Sequence, residues 1–215
     1  VAVTAKGDMA FSGDRAFHAE GRAEHFDPSA FVKTPAGDLN FAFTAKGAMA
    51  KGVSGDARIT FSPSRYAGLA ANGHVFVSGD ANRIASADVR LTLADARIEA
   101  HGSFGRPGDA MDVALHAPNL ATVAHPFGVA AAGALDAQGR LTGTFASPAG
   151  RLALTGTHLK LPSNVYLDDA KLDAQAGADP QSRIRASFTA HGIALGKATP
   201  PPPFAQSIAA FRLPW

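Results

Sequence analysis

The chain has no cysteine among its 215 residues. Disulfides, thiolate metal sites and thiol nucleophiles are therefore excluded, and the redox compartment is left undetermined. One Trp and two Tyr are too few for the aromatic girdles of an outer-membrane barrel. The longest apolar run, 128–135, is short and rich in Ala and Gly, well under the about 20 residues of a membrane helix. An excess of one charge is missing too, with 20 Lys and Arg against 18 Asp and Glu and a net charge of +2. The basic residues occur singly, so a pI of 9.1 reflects a small surplus and no nucleic-acid partner is expected. Helix-period segments are almost absent. Leu, Ile, Val and Phe are sparse for a packed core, whereas Ala and Gly are abundant.

What the chain does have is strict two-residue alternation. Over 135–145, Leu135, Ala137, Gly139, Leu141, Gly143 and Phe145 fall on one face, against Asp136, Gln138, Arg140, Thr142 and Thr144 on the other. Successive strand side chains point to opposite faces, so this is a strand with a dry side and a wet side. The same reading predicts strands at 1–11, 17–23, 39–49, 57–61, 73–77, 87–93, 97–104, 111–117, 135–145, 151–154, 165–174 and 183–192. Turn signals separate them: Ser54-Gly55-Asp56, Ser78-Gly79-Asp80, Gly105-Arg106-Pro107-Gly108, Ser147-Pro148 and Asp179-Pro180. Asp27-Pro28-Ser29 reads as a turn or a single helical turn with Asp27 as its N-cap. Short connections favour an antiparallel meander. The fold class is all-β. Small residues on the dry face are expected to leave room above it.

Two units are read: a repeating β segment, 1–196, and an irregular tail, 197–215, whose run Thr199-Pro200-Pro201-Pro202-Pro203 cannot join a sheet. Val1-Ala2-Val3-Thr4-Ala5-Lys6 already reads as strand and no signal peptide precedes it, so the chain is expected to be an internal segment of a larger protein. Internal repeats are visible. Thr4-Ala5-Lys6-Gly7-Asp8-Met9-Ala10 recurs as Thr44-Ala45-Lys46-Gly47-Ala48-Met49-Ala50, and Ile98-Glu99-Ala100-His101-Gly102 recurs as Phe188-Thr189-Ala190-His191-Gly192. Self-similarity of this kind marks an array that grows by stacking.

No catalytic constellation is present. There are eight histidines; His18, His101, His116 and His191 fall on wet faces, and none is spaced as a metal ligand pair. Gly52-Val53-Ser54-Gly55-Asp56 has its second glycine one residue early for a nucleophile elbow. Gly102-Ser103-Phe104-Gly105-Arg106-Pro107-Gly108 has the wrong spacing for a dinucleotide loop. Asp168 and Asp169 are strand neighbours and face opposite ways. Neither enzyme activity, a metal nor a cofactor is expected. From alternation alone the dry face could pack in a closed sandwich or barrel, line an open groove, or belong to an adhesive β-solenoid of a secreted surface protein.

The order of several motifs resembles the TamB family, the inner-membrane subunit of the translocation and assembly module, which is AsmA-like. Phe26-Asp27-Pro28-Ser29-Ala30-Phe31 is similar to the family's repeat opening. Ala96-Arg97-Ile98-Glu99-Ala100-His101-Gly102-Ser103-Phe104-Gly105, Gly108-Asp109-Ala110-Met111-Asp112-Val113-Ala114-Leu115, Ala117-Pro118-Asn119-Leu120 and Gly133-Ala134-Leu135-Asp136-Ala137-Gln138-Gly139-Arg140-Leu141-Thr142-Gly143-Thr144 are similar to later ones. The likeness covers about residues 1–196. The likeness does not extend to the family's N-terminal anchor or its C-terminal domain, so a middle segment of such a protein is expected.

The resemblance implies an elongated antiparallel sheet curled into an open β-groove with an apolar interior. It implies a periplasmic location within an inner-membrane-anchored protein of a Gram-negative bacterium, and phospholipid transport between the two membranes or support of outer-membrane protein assembly. The implied partners are phospholipid acyl chains, neighbouring repeats of the full-length chain, and a TamA-like outer-membrane barrel reached through other regions. The expected groove lining is Phe41, Phe43, Ile59, Phe61, Leu91, Leu93, Ile98, Val113, Leu115, Leu141, Leu152, Leu154, Leu172, Ile184 and Phe188.

Overall fold

A computed structural model of the chain describes residues 2–50, 52–162, 164–177 and 184–195. Val1, the Asp179-Pro180 turn, Arg183 and the Pro-rich tail lie outside the described residues. The strands are β1 (Ala2–Met9), β2 (Ala16–Phe26), β3 (Gly37–Ala48), β4 (Ser54–Tyr66), β5 (Leu69–Asp80), β6 (Arg83–Leu93), β7 (Ala96–Phe104), β8 (Ala110–Ala117), β9 (Ala132–Gly143), β10 (Pro148–Leu161), β11 (Val165–Ala176), β12 (Arg185–His191) and β13 (Ala194–Leu195). They form one antiparallel sheet in which chain order is spatial order from β1 to β12. β13 prolongs β12: Asp169 pairs with His191, and three residues further along each strand Tyr166 pairs with Ala194.

Each of the strands expected from alternation is present, and several are longer than the alternation alone marked. The sheet is open. β1 pairs only with β2, and β12 only with β11. No second sheet covers either face among the described residues, so the fold is neither a sandwich nor a barrel. Its antiparallel meander is also unlike the parallel rungs of a solenoid. Among the described residues no helix is long and apolar enough to cross a membrane.

Local chemistry explains the connections. Ala67 and Gly68, at φ 52° and 79°, make the two-residue hairpin turn with both central residues left-handed. Asp27 caps a single 3-10 turn, Pro28–Ala30, as its sequence context predicts. Its Oδ1 accepts hydrogen bonds from the backbone N–H of Ser29 at 3.0 Å and of Gly37 at 2.9 Å. The second bond ties the turn to the start of β3. The β8–β9 connection has no counterpart in the alternation: it carries the helix α1 (Leu120–Ala124), whose N-cap Asn119 accepts from the Ala121 N–H, and then a 3-10 turn, His125–Phe127.

Register shifts interrupt the ladders between Ala23 and Phe26, Asp38 and Phe41, Phe61 and Ser64, and Thr157 and Lys160. Bulges bend the strand that carries them and increase its twist. The bulge of β4 contains Pro63, which has no N–H to lend the ladder. Its backbone is stitched by Ser64, whose Oγ accepts from the Asn40 N–H at 2.9 Å and donates to the Ser62 carbonyl at 2.8 Å.

The interior is thin. Among the described residues, seven of the eleven buried hydrophobic residues are alanines, and no large side chain is fully buried. Larger apolar residues lie half-buried against their lateral neighbours, as a single sheet layer requires. At two glycines of the dry face a neighbouring ring fills the local space. A Cβ placed on Gly21 would lie 2.6 Å from the Phe43 ring, and one on Gly47 would lie 2.9 Å from the Phe17 ring. Gly21 pairs with Phe43, and Phe17 with Gly47. Each ring therefore lies down across the glycine opposite it, an aromatic–glycine pairing that covers otherwise exposed backbone.

Candidate functional site

Register aligns the dry-face residues into rows that run across all strands, perpendicular to the chain. The central row reads Val3, Ala23, Phe41, Phe61, Gly73, Leu91, Ile98, Leu115, Ala137, Leu154, Leu172 and Phe188. The row beside it reads Ala5, Gly21, Phe43, Ile59, Val75, Val89, Ala100, Val113, Gly139, Leu152, Ala174 and Ala186. Neither row contains a polar side chain. With strands ~4.8 Å apart, this apolar ribbon is about 50 Å long.

Fourteen of the fifteen expected lining residues lie on this one face. Phe41, Phe61, Leu91, Ile98, Leu115, Leu154, Leu172 and Phe188 are in the central row, and Phe43, Ile59, Val113 and Leu152 are in the row beside it. Leu141 lies one row further out, paired with Met111 and Gly150. Leu93 lies on the other side, paired with Ala71 and Ala96. Ile184 precedes β12, outside the ladders, and is 74% exposed. Val75 and Val89 belong to the ribbon although they were not among the expected residues; both sit in predicted strands with the dry phase, which was the signal available. The ribbon is open to solvent, with Ile98 50%, Phe188 44% and Leu152 39% exposed.

Aromatic rings concentrate at one end. Phe31 stacks on Phe26 (5.6 Å between centroids), Phe26 meets Phe41 edge-on (5.9 Å), and Phe41 meets Phe61 (5.7 Å). The β8–β9 connection, 118–131, folds over the dry face along one rim. Leu120 of α1 packs on the cluster of Leu159, Leu167, Ala170 and Ala190. Beyond α1, the Phe127 ring reaches the Tyr66 ring at the end of β4, 5.8 Å between centroids. A connection that leaves β8 and touches β4 spans several strands, so the rim curls toward the dry side. Removing this contact in Phe127→Ala is expected to cost about 1 kcal/mol. Hydrogen exchange should then quicken in 118–131 while the ribbon strands keep their protection; unchanged exchange in that connection would show that the ring contact does not fasten it.

The opposite face is polar, and register sets cations against anions: Lys6 opposite Glu20, Lys46 opposite Asp56, Arg90 opposite Glu99, Asp112 opposite Arg140. The wet-face histidines follow the same rule, with His18 opposite Asp8, His101 between Asp88 and Asp112, His116 opposite Asp136 and His191 opposite Asp169. Among the described residues no group of three or more His, Cys, Asp or Glu is placed to hold a metal ion.

Besides Ser64, a second buried polar side chain gathers a cluster. Asp109, in the β7–β8 turn, accepts from Arg83 Nε at 3.0 Å and Nη2 at 2.8 Å, from the Ser103 hydroxyl at 3.0 Å, and from the Arg106 backbone N–H at 3.0 Å. The Arg83 hydrogen bonds hold its carboxyl down at about 2 against partial desolvation. This clamp joins β6, β7 and the turn at the rim opposite α1. Beside it, Phe104 and Phe145 meet edge-on at 5.1 Å over the dry side.

No protein-family model, curated protein or solved structure matches the chain.

Proposed function

We propose that the dry face is a conduit for phospholipid acyl chains and that the chain is a segment of a TamB-like bridge across the periplasm, without catalytic activity of its own. The observation that carries this reading is the ribbon: two adjacent rows, twelve strands long, with no polar side chain and, among the described residues, no second sheet over them. Exposing an acyl chain costs about 0.8 kcal/mol per CH₂. A sixteen-carbon chain crossing water bare therefore faces a barrier on the order of 10 kcal/mol by the same rule. A continuous apolar floor removes most of it, and sliding along that floor needs no directional polar contact. The motif order that resembles the TamB family gives the same reading, and with it the membranes as source and destination and support of outer-membrane assembly as the physiological outcome. The alternative of an adhesive solenoid has no observation in its favour here.

Native mass spectrometry of the chain purified from a Gram-negative periplasm tests the proposal. Adducts with phospholipid masses that persist under gentle ionisation are the expected result. A lipid-free protein that also fails to take up a fluorescent acyl probe would sink it.

A further inference from the structure

A broad concavity lies on the face opposite the ribbon. It encloses about 1240 Å³ against the polar side of β7 to β12. A twisted sheet is saddle-shaped, so each face is concave along one diagonal. Two polar rows make its floor. One reads His101, Asp112, Arg140, Arg151, Gln175 and Arg185; the other reads Glu99, Ala114, Gln138, Ala153, Asp173 and Ser187.

In the first row the pairing rule of the polar face breaks. Arg140 stands directly opposite Arg151, and like charges in that position are unfavourable. Arg140 is compensated by Asp112, with Nη1 donating to both carboxylate oxygens at 3.2 and 3.3 Å. The side chains of Arg151 and Arg185 have neither a hydrogen-bond nor an ion-pair partner among the described residues. Gln175 stands between them, paired with both. With strands ~4.8 Å apart, three guanidinium stems and one amide are thus spread over about 14 Å of the concave floor. The acids facing the same concavity are Asp112, already engaged, and Glu99 and Asp173 in the next row, about 7 Å along the strands.

We propose that this row binds a phosphate-bearing ligand, with Arg151 and Arg185 as its principal donors and Gln175 as a neutral one between them. Guanidinium forks match phosphate oxygens bidentately, and the bound anion relieves the Arg140–Arg151 repulsion. The site is on the face opposite the ribbon and stands or falls independently of lipid conduction. The phosphate could be carried by a soluble compound or by a lipid headgroup.

Pyrophosphate titrated calorimetrically into the full chain at low ionic strength is the first probe. Saturable one-to-one binding is expected, weakened about tenfold or more in Arg151→Gln and in Arg185→Gln, intermediate in Arg151→Lys, and unchanged in Lys46→Gln. Far-UV circular dichroism of each variant shows whether the sheet is intact. Vesicles of phosphatidylcholine containing phosphatidylglycerol give the second arm. Arginine-dependent binding to them identifies a headgroup, and arginine-dependent binding to pyrophosphate alone identifies a soluble ligand. Absence of binding in both arms, or equal weakening by Lys46→Gln, overturns the proposal.

Discussion

Ile98→Asp is expected to reduce transfer of an acyl probe along the chain by about 100-fold and to remove co-purifying phospholipid. Ile98 sits in the middle of the central row, between Leu91 on β6 and Leu115 on β8. In the proposed conduit an ionised carboxylate at that point meets every acyl chain that passes. Placing Asp in hydrocarbon costs about 2.5–3.5 kcal/mol even where water can follow it in, and 1.4 kcal/mol is a factor of ten. The fold is affected much less. Ile98 is 50% exposed, so the substitution forfeits about 1 kcal/mol of lateral burial, about 3 °C in Tm for a chain of this size. Gln138→Asp, on the wet face, is the matched control and is expected to leave transfer intact. Lipid loading in Ile98→Asp equal to that of the parent chain, or equal loss in both variants, would remove the ribbon from the mechanism.

The ribbon was legible in the sequence because period-2 alternation assigns faces without knowing partners. Once Phe41, Phe61, Leu91, Ile98, Leu115 and Leu154 are each placed on the dry side of a strand, a short-looped meander brings them into adjacency. Alternation could not decide between a closed core and an open face, because it carries no information from across the face. The open edges of β1 and β12 and the solvent exposure of Ile98, Leu152 and Phe188 decide it. Ile184 has the dry phase but lies before the first ladder residue of β12, so register does not place it.

Other features were invisible to pattern. The helix α1 is five residues long, too short for a period of 3.6 to show, and it is set by Asn119 and by the packing of Leu120. The glycine–phenylalanine pairs depend on register between strands, which no single strand encodes. The Arg140–Arg151 juxtaposition is equally a product of register. Read along the chain, each arginine is an ordinary wet-face residue; only the hairpin between β9 and β10 makes them neighbours.

Asp109 has the second large expected effect. It is the most heavily hydrogen-bonded side chain of the described residues, and its four donors come from Arg83, Ser103 and Arg106. Asp109→Ala leaves the Arg83 guanidinium, itself only partly exposed, without its carboxylate and frees the β7–β8 turn. Loss of such a network is among the changes that destabilise strongly, and Tm at neutral pH is expected to fall by about 5–10 °C. The acid side chain gives the clamp a pH signature. Its carboxyl titrates at about 2 in the folded chain against an ordinary 3.8, so the folded state binds the proton more weakly than the unfolded state. Its contribution to stability is complete above the ordinary value and is lost as pH falls from about 4 toward 2. Thermal melts of the parent chain and of Asp109→Asn, followed by circular dichroism from neutral pH down to that range, should therefore converge at the acid end. A gap in Tm that stays constant over the whole series would mean that Asp109 acts through turn geometry alone, and the ionic clamp between β6 and the β7–β8 turn would have to be given up.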